Sequence, residues 1–240
     1  LPVPRAFVVT AQAFRRFLQE AGIEDRLFSG LANLNVEDNA ALEGASAKAR
    51  ELVLSAAIPT HLQKEIREAY KALGSEPVVA VRSSATAEDL PDASFAGQQR
   101  TFLNIEGEND VVAAVQGCWA SLFEARAIFY RVQQKYDHFK VGIAVPVQKM
   151  VQSDASGVMF TLEPVTSDRS KIVIEAVYGL GEAIVGGEVT PDLYIVERED
   201  LGISLKKIGR QEWKIIRNPA ATGQETNIQV SLTAKEQAQQ

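Results

Sequence analysis

The residues best suited to chemistry in this sequence lie in one short stretch, Val81 to Gln99. It begins with Arg82 at the end of an apolar run, and small hydroxyl residues follow the arginine. Short side chains let backbone N–H groups approach an anion, and a guanidinium adds a forked, permanently charged donor for phosphate oxygens. The stretch ends in a flexible turn: Ser94, Phe95, Ala96, Gly97 and Gln98. The pattern predicts a phosphate-binding site. The alternative is a surface arginine paired with Glu88 or Asp89.

A second candidate is the end of the apolar segment 145–151, where one amide and one cation interrupt the hydrophobic residues: Gln148, Lys149, Met150 and Val151. We interpret this segment as an edge strand whose free backbone N–H and C=O groups pair with a ligand. Adenine can be recognised in this way, with Met150 or Val151 packing on the face of the base. An ordinary edge strand without a ligand fits the same residues equally well.

Three carboxylates are further candidates, because they stand close to turns at the ends of predicted strands: Glu163, Glu175 and Glu182. They could hold a ribose hydroxyl or a magnesium ion, which prefers oxygen ligands and substrate phosphates. They could equally be solvated turn residues. His61 and His138 have no serine, cysteine or acidic neighbour at the spacing of a catalytic triad or a metal site, so we interpret both as structural.

Two lobes of different composition must position these residues, about 1–140 and 141–240. The first is helix-rich, with a predicted N-cap at Thr10 and helices over 10–20, 37–57, 60–73 and 110–136. The second is strand-rich, and Thr233 and Glu236 have the spacing of a capping box near its end. The fold class is α+β. The strands are predicted over 77–81, 101–105, 141–151, 157–162, 171–177, 193–197, 204–208 and 213–216.

The composition of the 240 residues excludes several functional classes. A net charge of −6 argues against a nucleic acid or an anionic membrane as the main partner. No apolar run approaches the roughly 18 residues that would cross a bilayer. The single cysteine, Cys118, excludes an internal disulfide and a cysteine-based zinc site, and it suits a cytoplasmic location.

The segment Val81–Ile105, together with Gly157–Thr166 and Ile174–Asp192, resembles the ATP-binding domain of the phosphoenolpyruvate synthase and pyruvate phosphate dikinase family. The resemblance covers nearly the whole chain, and its most specific part is the run from Val81 to Asp89. It implies a single ATP-grasp-like nucleotide-binding domain over 1–240. In that domain Arg82 contacts the transferring phosphates, Ser94 to Gln98 cover them, and Gln148 to Val151 read adenine.

Smaller differences in the motifs indicate which branch of the family the sequence resembles. Pyruvate phosphate dikinases typically have a glycine soon after the Arg-Ser pair and a methionine- and glycine-rich loop, where this sequence has Ser84 and Ser94 to Gly97. The runs Glu188–Asp192 and Ile174–Ala176 look more like the synthase than like rifampicin phosphotransferase. The rifampicin enzyme and a non-catalytic nucleotide-binding module are the alternatives.

The resemblance also implies parts that this sequence lacks. The ATP-binding lysine of the family is expected before Leu1, and its acidic Mg²⁺ ligands and a further arginine are expected after Gln240. In the intact enzyme, ATP would phosphorylate a histidine on a separate swivelling domain. A pyruvate-binding domain would then accept the phosphoryl group, giving phosphoenolpyruvate, AMP and phosphate. We expect the isolated chain to bind ATP weakly at most and to be inactive.

Overall fold

A computed structural model describes residues 2–85, 89–90, 93–94, 100–220 and 226–238. The chain forms two compact units, Leu1–Met150 and Val151–Gln240. The first contains the longer helices and the second is mainly strands, so the predicted α+β class is confirmed.

The elements are numbered in chain order over the described residues. The helices are α1 Ala11–Glu20, α2 Glu24–Ser29, α3 Asn39–Ser55, α4 Thr60–Lys71, α5 Glu108–Ser121, α6 Ala125–Gln133, α7 Glu182–Val185 and α8 Ala234–Ala238. The strands of the first unit are β1 Ala6–Val9, β2 Val79–Arg82, β3 Ser84–Ala85, β4 Asp89–Leu90, β5 Ala93–Ser94, β6 Thr101–Ile105 and β7 Ile143–Lys149. The strands of the second unit are β8 Ala155–Phe160, β9 Lys171–Tyr178, β10 Asp192–Glu197, β11 Ile203–Lys207, β12 Trp213–Arg217 and β13 Asn227–Ser231.

The main sheet of the first unit has the order β1-β7-β2-β6, with β3 also pairing with β7. All of its pairs are antiparallel. Its alternating residues divide between two faces. The valines of one face are fully buried, and their strands pack on α1 and α5: Val79, Val81, Val145 and Val147.

Aromatic packing fills the centre of this core. Trp119 on α5 is fully buried and stacks on Phe17 at 4.8 Å between ring centroids, with Phe14 at 5.9 Å. The predicted N-cap of α1 is confirmed, because the Thr10 hydroxyl accepts a hydrogen bond from the Ala13 N–H at 3.3 Å. Capping at this point directs the two phenylalanines of α1 inward, and each such side chain contributes roughly 1.5–3 kcal/mol on burial.

The prediction of one long helix over 110–136 is wrong in one respect, because the helix is broken between α5 and α6. The backbone tightens there: Leu122 and Phe123 each donate to the carbonyl three residues earlier. Glu124 then adopts an extended conformation, and its carboxylate pairs with Arg100 at 3.0 Å and with Arg126 at 3.1 Å. The break buries the Phe123 ring, which is 1% exposed. Tertiary contacts therefore override a continuous helical pattern.

The same stretch, Glu108–Gln133, contains a window that is long and apolar enough to cross a membrane, contrary to the expectation from the sequence. Within the described residues, 67% of that window is buried inside the protein. The window is therefore explained by the core helices α5 and α6.

The second unit is built around an antiparallel sheet of order β11-β10-β9-β8, with β12 and β13 paired separately. Gly179, at φ +76°, lets the chain turn at the end of β9 so that the Leu180 N–H reaches the Ile215 carbonyl at 2.9 Å. The predicted capping box is confirmed. The Glu236 carboxylate accepts from the Thr233 N–H at 2.8 Å, and the Thr233 hydroxyl accepts from the Glu236 N–H at 3.3 Å.

Candidate functional site

Arg82 is the last residue of β2, where its backbone pairs with Thr101 of β6. Its side chain is exposed, and it forms no ion pair or hydrogen bond with the residues that the structure describes. The next residue, Ser83, is held by two bonds to the Arg100 carbonyl, one from its N–H at 3.3 Å and one from its hydroxyl at 3.0 Å. A fixed backbone thus presents an exposed guanidinium, the side chain best suited to bind an external anion.

The segment after Arg82 is only partly described. Asp89–Leu90 and Ala93–Ser94 pair as a short antiparallel ladder, β4 with β5, which the sequence pattern did not predict. The backbone of Ser94 is therefore part of a strand. Phe95, Ala96, Gly97 and Gln98 lie outside the described residues, so their predicted role over the phosphates stays a prediction.

The interpretation of 145–151 as an edge strand is wrong. Strand β7 lies inside the sheet, paired with β1 on one side and with β2 on the other. The ladders use its backbone, and the Lys149 N–H donates to the Arg5 carbonyl at 3.0 Å. Free backbone groups begin only at the strand end. There the Met150 N–H still donates to the Val78 carbonyl at 2.9 Å, while Val151 is 59% exposed.

The register of β2 and β7 nevertheless brings two predicted site residues together. Ala80 stands opposite Gln148, so Arg82, two residues further along β2, lies on the same face of the sheet as Gln148. Such diagonal neighbours are about 7–8 Å apart. Met150 continues the same alternation beyond β7. This face is opposite to the valine face that packs on the helices. The Gln148 side chain donates to the Pro4 carbonyl at 3.2 Å.

In the second unit, Glu163 binds its own turn. Its carboxylate accepts from the N–H groups of Val165 and Thr166 and from the Thr166 hydroxyl, with the Val165 bond at 3.2 Å. These hydrogen bonds lower the pKa of Glu163, those from Thr166 most. The contacts match the interpretation of Glu163 as a turn residue, while its predicted ligand role stays a prediction.

The other two carboxylates differ in how they are engaged. Glu182, the first residue of α7, accepts from the Asn227 side-chain amide at 2.6 Å. Glu175 lies on β9 opposite Val158 and Leu193 and is half-buried. Its carboxylate has no hydrogen bond or ion pair with the described residues. Of the three candidates, Glu175 is therefore the carboxylate left available to a ligand.

Both histidines make structural contacts. His61 lies on the surface, 3.6 Å from the Glu20 carboxylate. His138 accepts a hydrogen bond at Nδ1 from the Nε of Arg131 at 2.9 Å. Burial lowers the pKa of His138 to about 4, with the Arg131 charge adding to the effect. The thiol of Cys118 is buried, which raises its pKa to about 12 and leaves it protonated and unreactive.

Comparison with known proteins assigns this arrangement to a family. The model of the pyruvate phosphate dikinase AMP/ATP-binding domain matches residues 1–240, the whole chain. The chain belongs to this family. The domain of this family is ATP-grasp-like and is described as an AMP/ATP-binding domain.

Curated relatives place the domain within larger proteins. The chain is 52% identical over 223 residues to a probable phosphoenolpyruvate synthase of Methanocaldococcus jannaschii, covering 91% of this chain and 19% of the relative. It is 52% identical over 226 residues to a probable phosphoenolpyruvate synthase of Archaeoglobus fulgidus, with 92% and 30% covered. It is 43% identical over 256 residues to the phosphoenolpyruvate synthase of Pyrococcus furiosus, with 91% and 31% covered. The chain thus spans about a fifth to a third of the length of these relatives.

The described residues fit a nucleotide better than they fit a metal. Arg82 offers phosphate oxygens a guanidinium that no other described residue engages, on an accessible sheet face. By contrast, no group of three or more His, Cys, Asp or Glu side chains in the described part of the chain could hold a metal ion. Because Mg²⁺ is usually held by one or two carboxylates together with substrate phosphates, the predicted Mg²⁺ stays a prediction.

Sequence reasoning missed two buried polar residues that organise the surroundings of the candidates. Arg131 is 1% exposed, and Gln211 is 4% exposed. The Gln211 side chain accepts from the Tyr178 N–H at 3.0 Å and donates to Asp192 at 3.2 Å, which ties the end of β9 to the start of β10. An isolated glutamine in a turn region has no local sequence pattern that would predict its burial. Arg131 could have been noticed, since it follows Phe129 and Tyr130 within an apolar helical pattern.

Proposed function

We propose that this domain binds ATP on the face of the first sheet that carries Arg82 and Gln148. Arg82 contacts the phosphates, and the chain just past the end of β7, at Met150 and Val151, contacts adenine. The observation that supports this most directly is the shared face of Arg82 and Gln148 on neighbouring strands. The match of the whole chain to an AMP/ATP-binding domain supports the choice of nucleotide.

The chemistry of this site is positioning and charge neutralisation. Phosphoryl transfer spreads negative charge over the phosphate oxygens, and a fixed guanidinium stabilises that charge without reorganising. The rigid backbone around Arg82 suits this role, because Ser83 is anchored to the Arg100 carbonyl. Ser94 to Gln98 cover the phosphates in this proposal, and Glu163, Glu175 and Glu182 stay candidates for contact with a ribose hydroxyl or Mg²⁺.

In the full-length protein, the ATP bound here phosphorylates a histidine on a separate domain. That step consumes one water and releases AMP and phosphate, and the phosphoryl group then passes from the histidine to pyruvate on a third domain, giving phosphoenolpyruvate. The relatives are phosphoenolpyruvate synthases by name, which supports pyruvate as the acceptor, and their greater length leaves room for both domains. The buried thiol of Cys118, which forms no disulfide, is consistent with a reducing cytoplasm.

The test uses the full-length protein with Arg82→Ala. We expect turnover to fall by about 100-fold or more, because a transition-state charge contact is lost, while the thermal midpoint changes little because Arg82 is exposed. Arg82→Lys keeps the charge but loses the forked geometry, and we expect it to be intermediate. A steady-state assay measures turnover, a thermal unfolding curve measures the midpoint, and isothermal titration with ATP measures nucleotide affinity.

Arg16→Ala is the matched control, since Arg16 is an exposed arginine on α1. It should leave both ATP affinity and turnover unchanged. Wild-type turnover in Arg82→Ala would contradict the proposed role of Arg82. ATP binding without any transfer to pyruvate or to rifampicin would instead indicate a non-catalytic nucleotide module, and transfer to rifampicin alone would identify the antibiotic-modifying branch.

A further inference from the structure

Strand β1 has an outer edge with unused hydrogen-bonding groups. It is the terminal strand of its sheet and, among the described residues, pairs only with β7. The bond from the Lys149 N–H to the Arg5 carbonyl marks that pair as hydrogen-bonded. By antiparallel alternation, Phe7 and Val9 also bond to β7, whereas Ala6 and Val8 direct their N–H and C=O groups outward. Pro146 stands opposite Val8 and has no N–H to donate, which agrees with backbone groups of Val8 that point away from β7.

The outward groups of Ala6 and Val8 find no partner in the described part of the chain. The Val8 side chain is 53% exposed. A short edge strand with free N–H and C=O groups is a template for another strand, and proteins usually cover or block such edges. No proline, inward-pointing charge or bulge interrupts β1 itself.

A groove lies directly beside this edge, between β1 and α4. Its volume is about 220 Å³, and its lining is mostly apolar, with Val9, Leu62, Ile66 and Trp119 among the residues that form it. Pockets for small molecules usually measure roughly 300–1,000 Å³, so this groove is small for a metabolite and better suited to one large side chain. The Trp119 indole N–H is buried and has no acceptor among the described residues.

We propose that the outer edge of β1 and the groove beside it receive an extended segment of the same polypeptide from outside residues 1–240. The segment adds to the sheet by pairing with Ala6 and Val8, and one of its apolar side chains fills the groove. Glu65, at the rim, favours a cationic residue next to that apolar anchor. The source within the same polypeptide follows from the relatives, in which about two thirds or more of the length lies outside the matched domain.

This proposal is separate from nucleotide binding, and its readout is the exchange of individual amide hydrogens in the full-length protein. The Val8 amide, which β7 does not use, should be protected by at least about 100-fold if a segment is paired with it. The Phe7 and Val9 amides, which bond to β7, serve as internal standards that report an intact sheet. Fast exchange at Val8 with slow exchange at Phe7 and Val9 would overturn the proposal.

A substitution in the groove tests the anchor. Ala69 lines the groove from α4, and Ala69→Phe should occupy the space and return Val8 to within about tenfold of its free exchange rate while Phe7 stays protected. Ala72→Phe, at the exposed end of the same helix, is the matched control and should leave Val8 protected. Equal protection of Val8 in Ala69→Phe and Ala72→Phe would contradict an anchor in this groove.

The source of the segment is identified by a benzoylphenylalanine photocrosslinker placed at Glu65, with the same group at the exposed Glu68 as control. A crosslink within one polypeptide, from position 65 to a peptide outside residues 1–240, supports the proposal. A crosslink to a second copy, or no more crosslinking from position 65 than from position 68, overturns it. This measurement does not depend on the folding of any groove variant.

Discussion

The Nε of Arg131 donates a hydrogen bond to the Nδ1 of His138 over 2.9 Å, and this contact requires a neutral imidazole. Arg131 is 1% exposed, its two terminal nitrogens have no partner among the described residues, and its guanidinium lies 5.9 Å from the centre of the Phe123 ring. Burial lowers the pKa of Arg131 to about 10, which still leaves it charged at neutral pH. The pair joins α6 to the segment that leads into β7.

Acid should weaken the fold through His138. Its folded pKa of about 4 is below the unfolded value of 6.5, so the unfolded chain takes up the proton first as the pH falls. The free energy of unfolding should therefore decrease between about pH 6.5 and about pH 4. After discounting for the partial exposure of the ring, we expect a loss on the order of 1–2 kcal/mol. Urea denaturation across this range measures it.

His138→Gln should remove this acid-induced loss in the free energy of unfolding, because glutamine can accept the bond from Arg131 but does not titrate. His61→Gln is the control, since His61 lies on the surface beside Glu20 and should keep the wild-type pH profile. The same acid sensitivity in His138→Gln as in the wild type would show that other groups cause it.

Gly179→Ala should destabilise the second unit. A Cβ on this residue would overlap the Ile215 carbonyl oxygen and lie 3.0 Å from the Lys214 Cβ, at a φ of +76° that disfavours side chains. We expect a loss of about 2–4 kcal/mol, because both the strained dihedral and the backbone clash oppose the turn. Thermal unfolding of this variant beside the wild type measures the loss.

Gly187→Ala is the matched control for Gly179. Gly187 also has a positive φ, +68°, but a Cβ there would meet nothing within 4 Å. Only the cost of the left-handed conformation remains, about 1–2 kcal/mol. Equal losses in Gly179→Ala and Gly187→Ala would mean that the approach to Ile215 contributes nothing.

Gly44→Ala should stabilise the first unit. Gly44 lies within α3 and is exposed, and a methyl group on its Cα would meet no atom within 4 Å. Alanine reduces the conformational entropy of the unfolded chain and favours helix, so we expect a gain of about 0.5–1 kcal/mol. A lower urea midpoint in this variant would contradict the helical environment described for residue 44.

Glu236 should hold α8 in place through its carboxylate. The pKa of Glu236 is lowered to about 2, first by its bond from Lys214 and then by those from Thr233. This stabilisation is present above about pH 4.5 and is lost as the pH falls toward 2. Glu236→Gln should therefore accelerate exchange of the Gln237 amide, which donates to the Thr233 carbonyl.

Lys235→Gln is the control for this helix, because Lys235 is exposed and forms no ion pair with the described residues. It should leave the Gln237 amide as protected as in the wild type. If the Gln237 amide exchanged as slowly in Glu236→Gln as in the wild type, the Glu236 carboxylate would not be needed to hold α8.

Features that depend on near neighbours could be predicted from the amino-acid order. The N-cap at Thr10 and the Thr233–Glu236 capping box follow from side chains within one helical turn, and the structure has both. The family was also readable from the sequence, and the match of the family model to residues 1–240 confirms it. Five of the six described strands of the second unit followed from apolar runs between turn residues, whereas β13 was not predicted.

Which of the candidate residues can act together depended on contacts between distant parts of the chain. Whether β7 lies at an edge or inside the sheet depends on β1 and β2, which are remote in sequence, and the register with β2 places Gln148 on the face of Arg82. Glu182 shows the same dependence, because its carboxylate accepts from the side-chain amide of Asn227, which is remote in sequence. Local patterns constrain the conformation of a segment, but pairing and burial are set by long-range contacts that only the folded chain brings about.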